Sequence, residues 1–117
     1  MTRVRVGIDL VQISRIAESL ATFGERFLRR VFTDGEVAYA GRAPERLAAR
    51  FAAKEAAKKA LALDGVSWRE LEVVRHDNGA CDLVLHGGAR AAAGATALAL
   101  SMSHEGDHAT AVVIAYE

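Results

Sequence analysis

Asp9, Glu55, Lys59 and His104 are the residues whose types and surroundings could do chemistry on a charged substrate. Asp9 stands in Gly7-Ile8-Asp9-Leu10, near the end of an alternating run. A carboxylate at a strand end can hold a hard cation; it can equally cap the helix that follows. Phe51, Glu55 and Lys59 are spaced four apart and so share one helical stripe, with Arg50, Lys54 and Lys58 forming an adjacent basic stripe. Glu55 could complete a cation site with Asp9, because Mg²⁺ typically takes one or two carboxylates plus substrate phosphates. Lys59, one turn further on, could then reach a phosphate. The competing reading is an ordinary i, i+4 Glu–Lys pair, worth only a few tenths of a kcal/mol. His104 closes Ser101-Met102-Ser103-His104. At a strand end this polar group suits a phosphate or nucleotide as well as it suits an ordinary surface histidine.

His104-Glu105-Gly106-Asp107-His108 also matches the H-E-x-x-H zinc-hydrolase signature. That motif works only when both histidines share one helix face. Gly106 and Asp107 oppose a helix, and a β-like run begins at Ala109. The zinc reading is therefore rejected.

The elements that must position these groups are readable from pattern. Val4, Val6, Ile8 and Leu10 alternate with Arg3, Arg5, Gly7 and Asp9, which predicts a strand. Ile13, Ile16, Ala17 and Leu20 recur at helical spacing up to Gly24, and Glu25 to Phe32 reads as a short basic amphipathic piece. Thr33 and Glu36 have capping-box spacing and predict a helix ending near Gly41. Pro44 suits a first helical turn, and strong helix formers run from there to Leu63 before Asp64-Gly65. Leu71 to Arg75 and Asp82 to His86 predict a strand pair across the Asp77-Asn78-Gly79 turn. Gly88 to Gly94 is alanine-rich, a short helix or loop. Ala97 to Ser103 and Ala109 to Tyr116 predict two more strands, joined at Glu105-Gly106-Asp107. Strand, helices, then strands make the chain α+β.

At 117 residues one domain, 1–117, is expected, with no repeat or linker. A chain this short buries only about two thirds of its unfolded surface. A site built by one copy would be shallow, and oligomerisation would deepen it. The formal charge of zero argues against bulk nucleic-acid binding. Arg15, Arg26, Arg29 and Arg30 nevertheless cluster in the first third, which fits a localised acidic partner or a solvated helix face. A single cysteine, Cys81, fits a reducing compartment. No apolar run reaches membrane-span length and no signal-peptide core opens the chain, so a cytoplasmic location and no membrane partner are expected.

Three blocks together resemble the holo-acyl-carrier-protein synthases, the small single-domain class of 4′-phosphopantetheinyl transferases. They are Gly7-Ile8-Asp9-Leu10 with Ser14-Arg15-Ile16; Arg50-Phe51-Ala52-Ala53-Lys54-Glu55-Ala56 with Lys59; and Ser101-Met102-Ser103-His104 with Ala109 to Ile114. The resemblance implies a fold with one long central helix, packed with short helices against antiparallel strands. It implies transfer of 4′-phosphopantetheine from coenzyme A to a serine of an apo acyl carrier protein, with Mg²⁺ as cofactor. By the same resemblance Asp9 and Glu55 are Mg²⁺ ligands, and Asp9, Glu55 and Lys59 form the catalytic group. Lys59 would also face the coenzyme A phosphates, and Arg50, Lys54 and His104 would line the nucleotide and phosphate pocket. Arg15, Arg26, Phe27 and Arg30 would dock the carrier protein, and the assembly would be a homotrimer with its sites between subunits. The chain departs from many relatives in a shorter, glycine-poor loop at Ala62-Leu63-Asp64-Gly65, and in Cys81 where a proline is common. The rival reading is a non-catalytic module that binds an acidic protein or a nucleotide.

Overall fold

The structure, a computed structural model, describes residues 3–117. The N-terminal alternation forms strand β1 (Val4–Gln12). It leads through helices α1 (Ile13–Phe23), α2 (Glu25–Val31) and α3 (Asp34–Ala40) to the long helix α4 (Pro44–Leu61). A 3-10 turn (Trp68–Glu70), strands β2 (Leu71–Arg75) and β3 (Cys81–Leu85), and helix α5 (Gly87–Ala93) follow. Strands β4 (Ala97–Glu105) and β5 (His108–Tyr116) close the chain. β5 pairs antiparallel with both β1 and β4, giving a three-stranded sheet of order β1-β5-β4, while β2 and β3 form a separate antiparallel pair. Among the described residues no helix is long and apolar enough to cross a membrane.

The expected elements are present, with shifted ends. α4 stops at Leu61 because Ala62 takes a left-handed conformation with φ 52°, two residues before the expected Asp64-Gly65 stop. His86, expected to end β3, is instead the N-cap residue of α5. The capping box at Thr33 is formed as its spacing predicts, with Thr33 accepting from the Glu36 amide and Glu36 accepting from the Thr33 amide. The H-E-x-x-H string lies in the β4–β5 hairpin, where Glu105 pairs with His108 across Gly106-Asp107. Its histidines share no helix face, which removes the zinc reading.

α4 is the centre of the fold. Its buried face is mostly alanine, with Ala48, Ala52, Ala53, Ala56, Ala57 and Ala60 all buried. Such small side chains bury little area each, but they let backbones come close. Against them lies Gly7 of β1. A Cβ at Gly7 would collide with the Ala56 carbonyl oxygen and would stand 2.8 Å from the Ala60 amide nitrogen. The β1 alternation consequently turns its residues in an unexpected sense. Arg5, Gly7 and Asp9 face the helix side, while Val4, Val6, Ile8 and Leu10 point away and are between 59 and 66% exposed. Register places Val6 opposite Ile114 and Ile8 opposite Val112, so β5 continues this outward apolar face.

The strand–helix approach yields a direct test. Gly7→Ala forces backbone to shift rather than a flexible side chain to give way. Its destabilisation is expected at or above the upper end of the roughly 1–3 kcal/mol typical of overpacked cores. Chemical denaturation of the purified variant measures this, and an unchanged midpoint would show that β1 can move off α4 at no cost.

Candidate active site

The close approach of β1 to α4 brings Asp9 and Glu55 together. Asp9 follows Gly7 by two residues and so points to the same side of the strand. Glu55 precedes Ala56, the residue that Gly7 meets. Both carboxylates line one open cleft of about 430 Å³, together with Leu10, Arg15, Phe27 and Phe51. Lys59 Nζ, one turn beyond Glu55, donates to the Ile8 carbonyl at 2.9 Å and to Asp9 Oδ1 at 3.4 Å. Its carboxylate partner is therefore Asp9 across the strand–helix contact, not Glu55 along the helix. No described residue forms a hydrogen bond or ion pair with the Glu55 side chain.

The donor set fits a hard, incompletely coordinated cation. Two carboxylates offer oxygen ligands, and no group of three or more His, Cys, Asp or Glu among the described residues could enclose a metal ion. That matches Mg²⁺, which keeps water and substrate phosphates in its remaining positions, rather than a closed structural zinc site.

Arg50 and His104 come together at a different place. They line a second cleft of about 220 Å³ with Tyr39, Glu45, Arg46 and Arg75. The separation follows from geometry. Residues 50 and 55 differ by five positions, a little over a third of a turn in phase around an α-helix. Asp9 is opposite Ala111 on β5, whereas His104 on β4 is opposite Ala109. β5 therefore lies between the two, and the clefts flank α4 on opposite sides. Arg50 is only 4% exposed. Its Nη1 donates to the Arg46 carbonyl at 3.2 Å, while its buried Nε has no partner. Burial lowers its pKa from the ordinary arginine value, with nearby Cys81, Tyr39 and Glu36 opposing that shift.

Lys54 is the correction. It was expected to line the nucleotide and phosphate pocket, yet its side chain is fully buried. Its ammonium donates to Glu36 Oε1 at 2.7 Å, to the Trp68 carbonyl at 3.0 Å and to the Leu71 carbonyl. All three protons of the group are thereby used. Burial lowers the Lys54 pKa from its ordinary value, and the Glu36 carboxylate offsets part of that shift. Glu36 is the residue the sequence reading undervalued. Beyond its capping role, it accepts from the Val73 amide at 2.9 Å. One ion pair thus ties α3, α4, the 3-10 turn and β2 together.

The expected docking residues lie on α1 and α2. Arg15 and Phe27 border the Asp9–Glu55 cleft, and Arg26, Phe27 and Arg30 line an adjoining groove of about 390 Å³ with Phe23 and Trp68. Trp68 gave no signal in the sequence beyond being the single tryptophan. Its ring packs on Phe51 at 5.1 Å and carries the Lys58 ammonium at 3.5 Å. Asp107, assigned only to a turn, anchors this ridge to the sheet. Its carboxylate accepts from the Ser14 amide at 2.8 Å and the Ser14 hydroxyl at 2.7 Å, and its carbonyl accepts from the Ile13 amide at 2.8 Å. These bonds from Ser14 hold the Asp107 pKa below its ordinary value.

The chain is similar to known proteins over most of its length. The family model of the 4′-phosphopantetheinyl transferase superfamily matches residues 5–113. The holo-[acyl-carrier-protein] synthase of Paramagnetospirillum magneticum is 49% identical, over 95% of this chain and 94% of its own. That of Koribacter versatilis is 45% identical, over 92% and 94%. Among solved structures, the Chronobacterium ammoniagenes ACPS-CoA complex superposes with a TM-score of 0.87 at 37% identity, covering 97% of this chain and 96% of that one.

The buried ion pair predicts a stability phenotype. Lys54→Met leaves Glu36 as an uncompensated buried charge and is expected to cost about 3–5 kcal/mol. Pairing it with Glu36→Gln should recover a large part of that loss. Urea titration of the two variants tests this, and a single variant as stable as the parent would contradict the structural role given to Lys54.

Proposed function

The chain belongs to the 4′-phosphopantetheinyl transferase superfamily, and on that premise we propose that it transfers the 4′-phosphopantetheine group of coenzyme A to a serine of an apo acyl carrier protein, releasing 3′,5′-ADP. The observation that carries this reading is the Asp9–Glu55 carboxylate pair in one open cleft beside an arginine-rich helical ridge.

The serine oxygen attacks the β-phosphorus of coenzyme A. One P–O bond forms to the serine as the bridging P–O bond of the diphosphate breaks, and the electron pair leaves on 3′,5′-ADP. Such a reaction needs positioning and charge neutralisation more than covalent help from the protein. Asp9 and Glu55 would hold Mg²⁺, which when bound supplies positive charge against the diphosphate oxygens. Glu55, free of any protein partner among the described residues, accepts the serine proton. Lys59 stands beside Asp9 at 3.4 Å and offers its ammonium to the leaving phosphate. Arg50 and His104 take the nucleotide end of the donor. Arg15, Arg26, Phe27 and Arg30 receive the carrier protein, whose acidic surface would meet the arginines and whose apolar contacts would meet Phe27.

A homotrimer is part of the proposal. Two features support it: Asp9–Glu55 and Arg50–His104 occupy different flanks of one copy, and the outward sheet face is apolar from Val4 to Leu10. Exposed apolar patches of this kind mark interaction surfaces. A neighbouring copy laid on that face would bring the two half-sites together.

Mass spectrometry of intact apo carrier protein, incubated with the chain, coenzyme A and Mg²⁺, reads the reaction. One added phosphopantetheine is expected, lost without Mg²⁺ and lost in Glu55→Gln at unchanged thermal stability. Wild-type transfer by Glu55→Gln would remove the argument from the carboxylate pair. No transfer by the parent chain to several carriers would leave a non-catalytic binding role. Light scattering on the same sample should return three chains per particle, and full activity in a monomer would refute the shared site.

Docking has its own readout. Arg15→Glu or Arg26→Glu should raise the KM for the carrier while leaving that for coenzyme A nearly unaltered. The parent's KM for the carrier should itself rise with salt, as screening weakens charge-guided association. Equal losses toward both substrates would overturn the docking assignment.

A further inference from the structure

Helix α1 has few means of its own to fix its first turn. It follows β1 with no residue between them, since Gln12 ends the strand and Ile13 begins the helix. Gln12 makes no side-chain cap, and the first turn holds no acidic residue. The leading amides of the helix would be left without acceptors. Asp107, 93 residues beyond Ser14 in the β4–β5 turn, supplies them. Its carboxylate accepts from the amide and the hydroxyl of Ser14, at 2.8 and 2.7 Å, and its carbonyl accepts from the Ile13 amide at 2.8 Å. Its negative charge also stands at the end of α1 where the helix dipole favours it. Among the described residues no other hydrogen bond joins α1 to another part of the fold. Packing alone leaves room for a pivot, because Ile16 is the one fully buried residue of α1 and Ile13 and Leu20 are only partly covered.

We propose that Asp107 is a positioning residue for the carrier protein: its hold on the first turn of α1 fixes where Arg15 stands, and so sets affinity for the carrier but not for the donor. The inference rests on the transferase reading for both substrates. Arg15 directly follows Ser14 and borders the Asp9–Glu55 cleft, so a swing of α1 about its joint with β1 carries Arg15 away from that cleft. Ser19, one turn further on, lines both this cleft and the adjoining groove, and moves with it. The donor side is held differently. The β4–β5 ladder runs unbroken to the Glu105–His108 pair, and His104 is paired with Ala109 within it. The hairpin and His104 therefore keep their places when the Asp107 carboxylate is removed. Asp107 lines neither the Asp9–Glu55 cleft nor the Arg50–His104 cleft, so it acts on the carrier only through α1.

The test measures the KM for carrier and for coenzyme A separately in the parent, Asp107→Ala, Ser14→Ala and Ser14→Thr. Asp107→Ala should raise the KM for the carrier by about tenfold, with that for coenzyme A nearly unaltered. Ser14→Ala keeps the amide bond and should fall between Asp107→Ala and the parent; it decides the question if Asp107→Ala does not fold. Ser14→Thr, which keeps the hydroxyl, should match the parent. Because the effect runs through Arg15, Asp107→Ala should cost much less when added to Arg15→Ala than when made alone. Equal losses toward both substrates, a Ser14→Thr as impaired as Ser14→Ala, or a full Asp107→Ala loss in the Arg15→Ala background would overturn the inference. Calorimetry with a carrier whose acceptor serine is replaced by alanine separates it from the transferase reading, since binding then needs no turnover. If the parent transfers nothing yet binds this carrier, and Asp107→Ala weakens that binding, the transferase reading fails and the positioning role stands. An active parent whose Asp107→Ala variant binds the carrier as tightly would sink the positioning role alone, and a parent that binds no carrier would sink both.

Discussion

Strand β1 lies so close to α4 that Gly7 has no room for a side chain, and the placement of the carboxylate cleft follows from that contact. The approach needs small residues on both sides, which is why the buried face of α4 is a run of alanines rather than of leucines. Leucines there would bury more area and contribute more hydrophobic stabilisation per residue. They would also hold the strand away from the helix. Asp9 and Lys59 would then be too far apart for their 3.4 Å contact, and Glu55 would face open solvent. The composition of this core thus trades apolar area for proximity.

A core of small side chains has to be held by other means, and the Glu36–Lys54 pair does so. It is a costly device in isolation, since both charges are taken out of water. Here the remaining valences are filled. Glu36 receives backbone amides from Thr33 and Val73, and Lys54 donates to two carbonyls in the segment that links α4 to β2. The pair fixes α3 and the 3-10 turn against α4 at the level of Arg50 and Phe51. That places Trp68 on one flank of the helix and Tyr39 on the other, and with them the aromatic floor of the groove beside α1 and α2 and the ring beneath the arginines.

Local signals made most of the fold legible. The capping box at Thr33, the proline at the first turn of α4 and the turn at Asp77-Asn78-Gly79 each set a boundary by short-range chemistry. The ends of α4 and β3 were misplaced because Ala62 adopts a left-handed conformation without a glycine, and because His86 passes from the strand to the cap of α5. Glu55 and Lys59 could be linked in advance by helical spacing and Asp9 by resemblance; the structure puts Asp9 and Glu55 in the lining of one cleft and Lys59 against Asp9. Lys54 could not be separated from its neighbours that way. A basic stripe at helical spacing looks the same whether a lysine faces solvent or turns under the adjoining elements. Only the long-range partner distinguishes them, and Glu36 lies 18 residues away in sequence. The contacts of Arg46 and Arg75 with the Tyr39 ring were hidden for the same reason: these residues belong to three elements, and nothing in their local sequence relates them.

The direction in which β1 turns its alternating residues carries the last step of the argument. An isolated domain of this composition would be expected to bury Val4, Val6, Ile8 and Leu10 and to expose the residues between them. The chain does the reverse, because Gly7 and Asp9 are needed against α4. That choice commits the most apolar face of the sheet to the outside, and exposed apolar patches of this kind mark interaction surfaces. The same choice places the carboxylates on one flank of the helix and the arginines on the other. A single constraint, a glycine packed against an alanine helix, thereby produces both the separation of the two clefts and the outward apolar face on which the proposed second copy would sit.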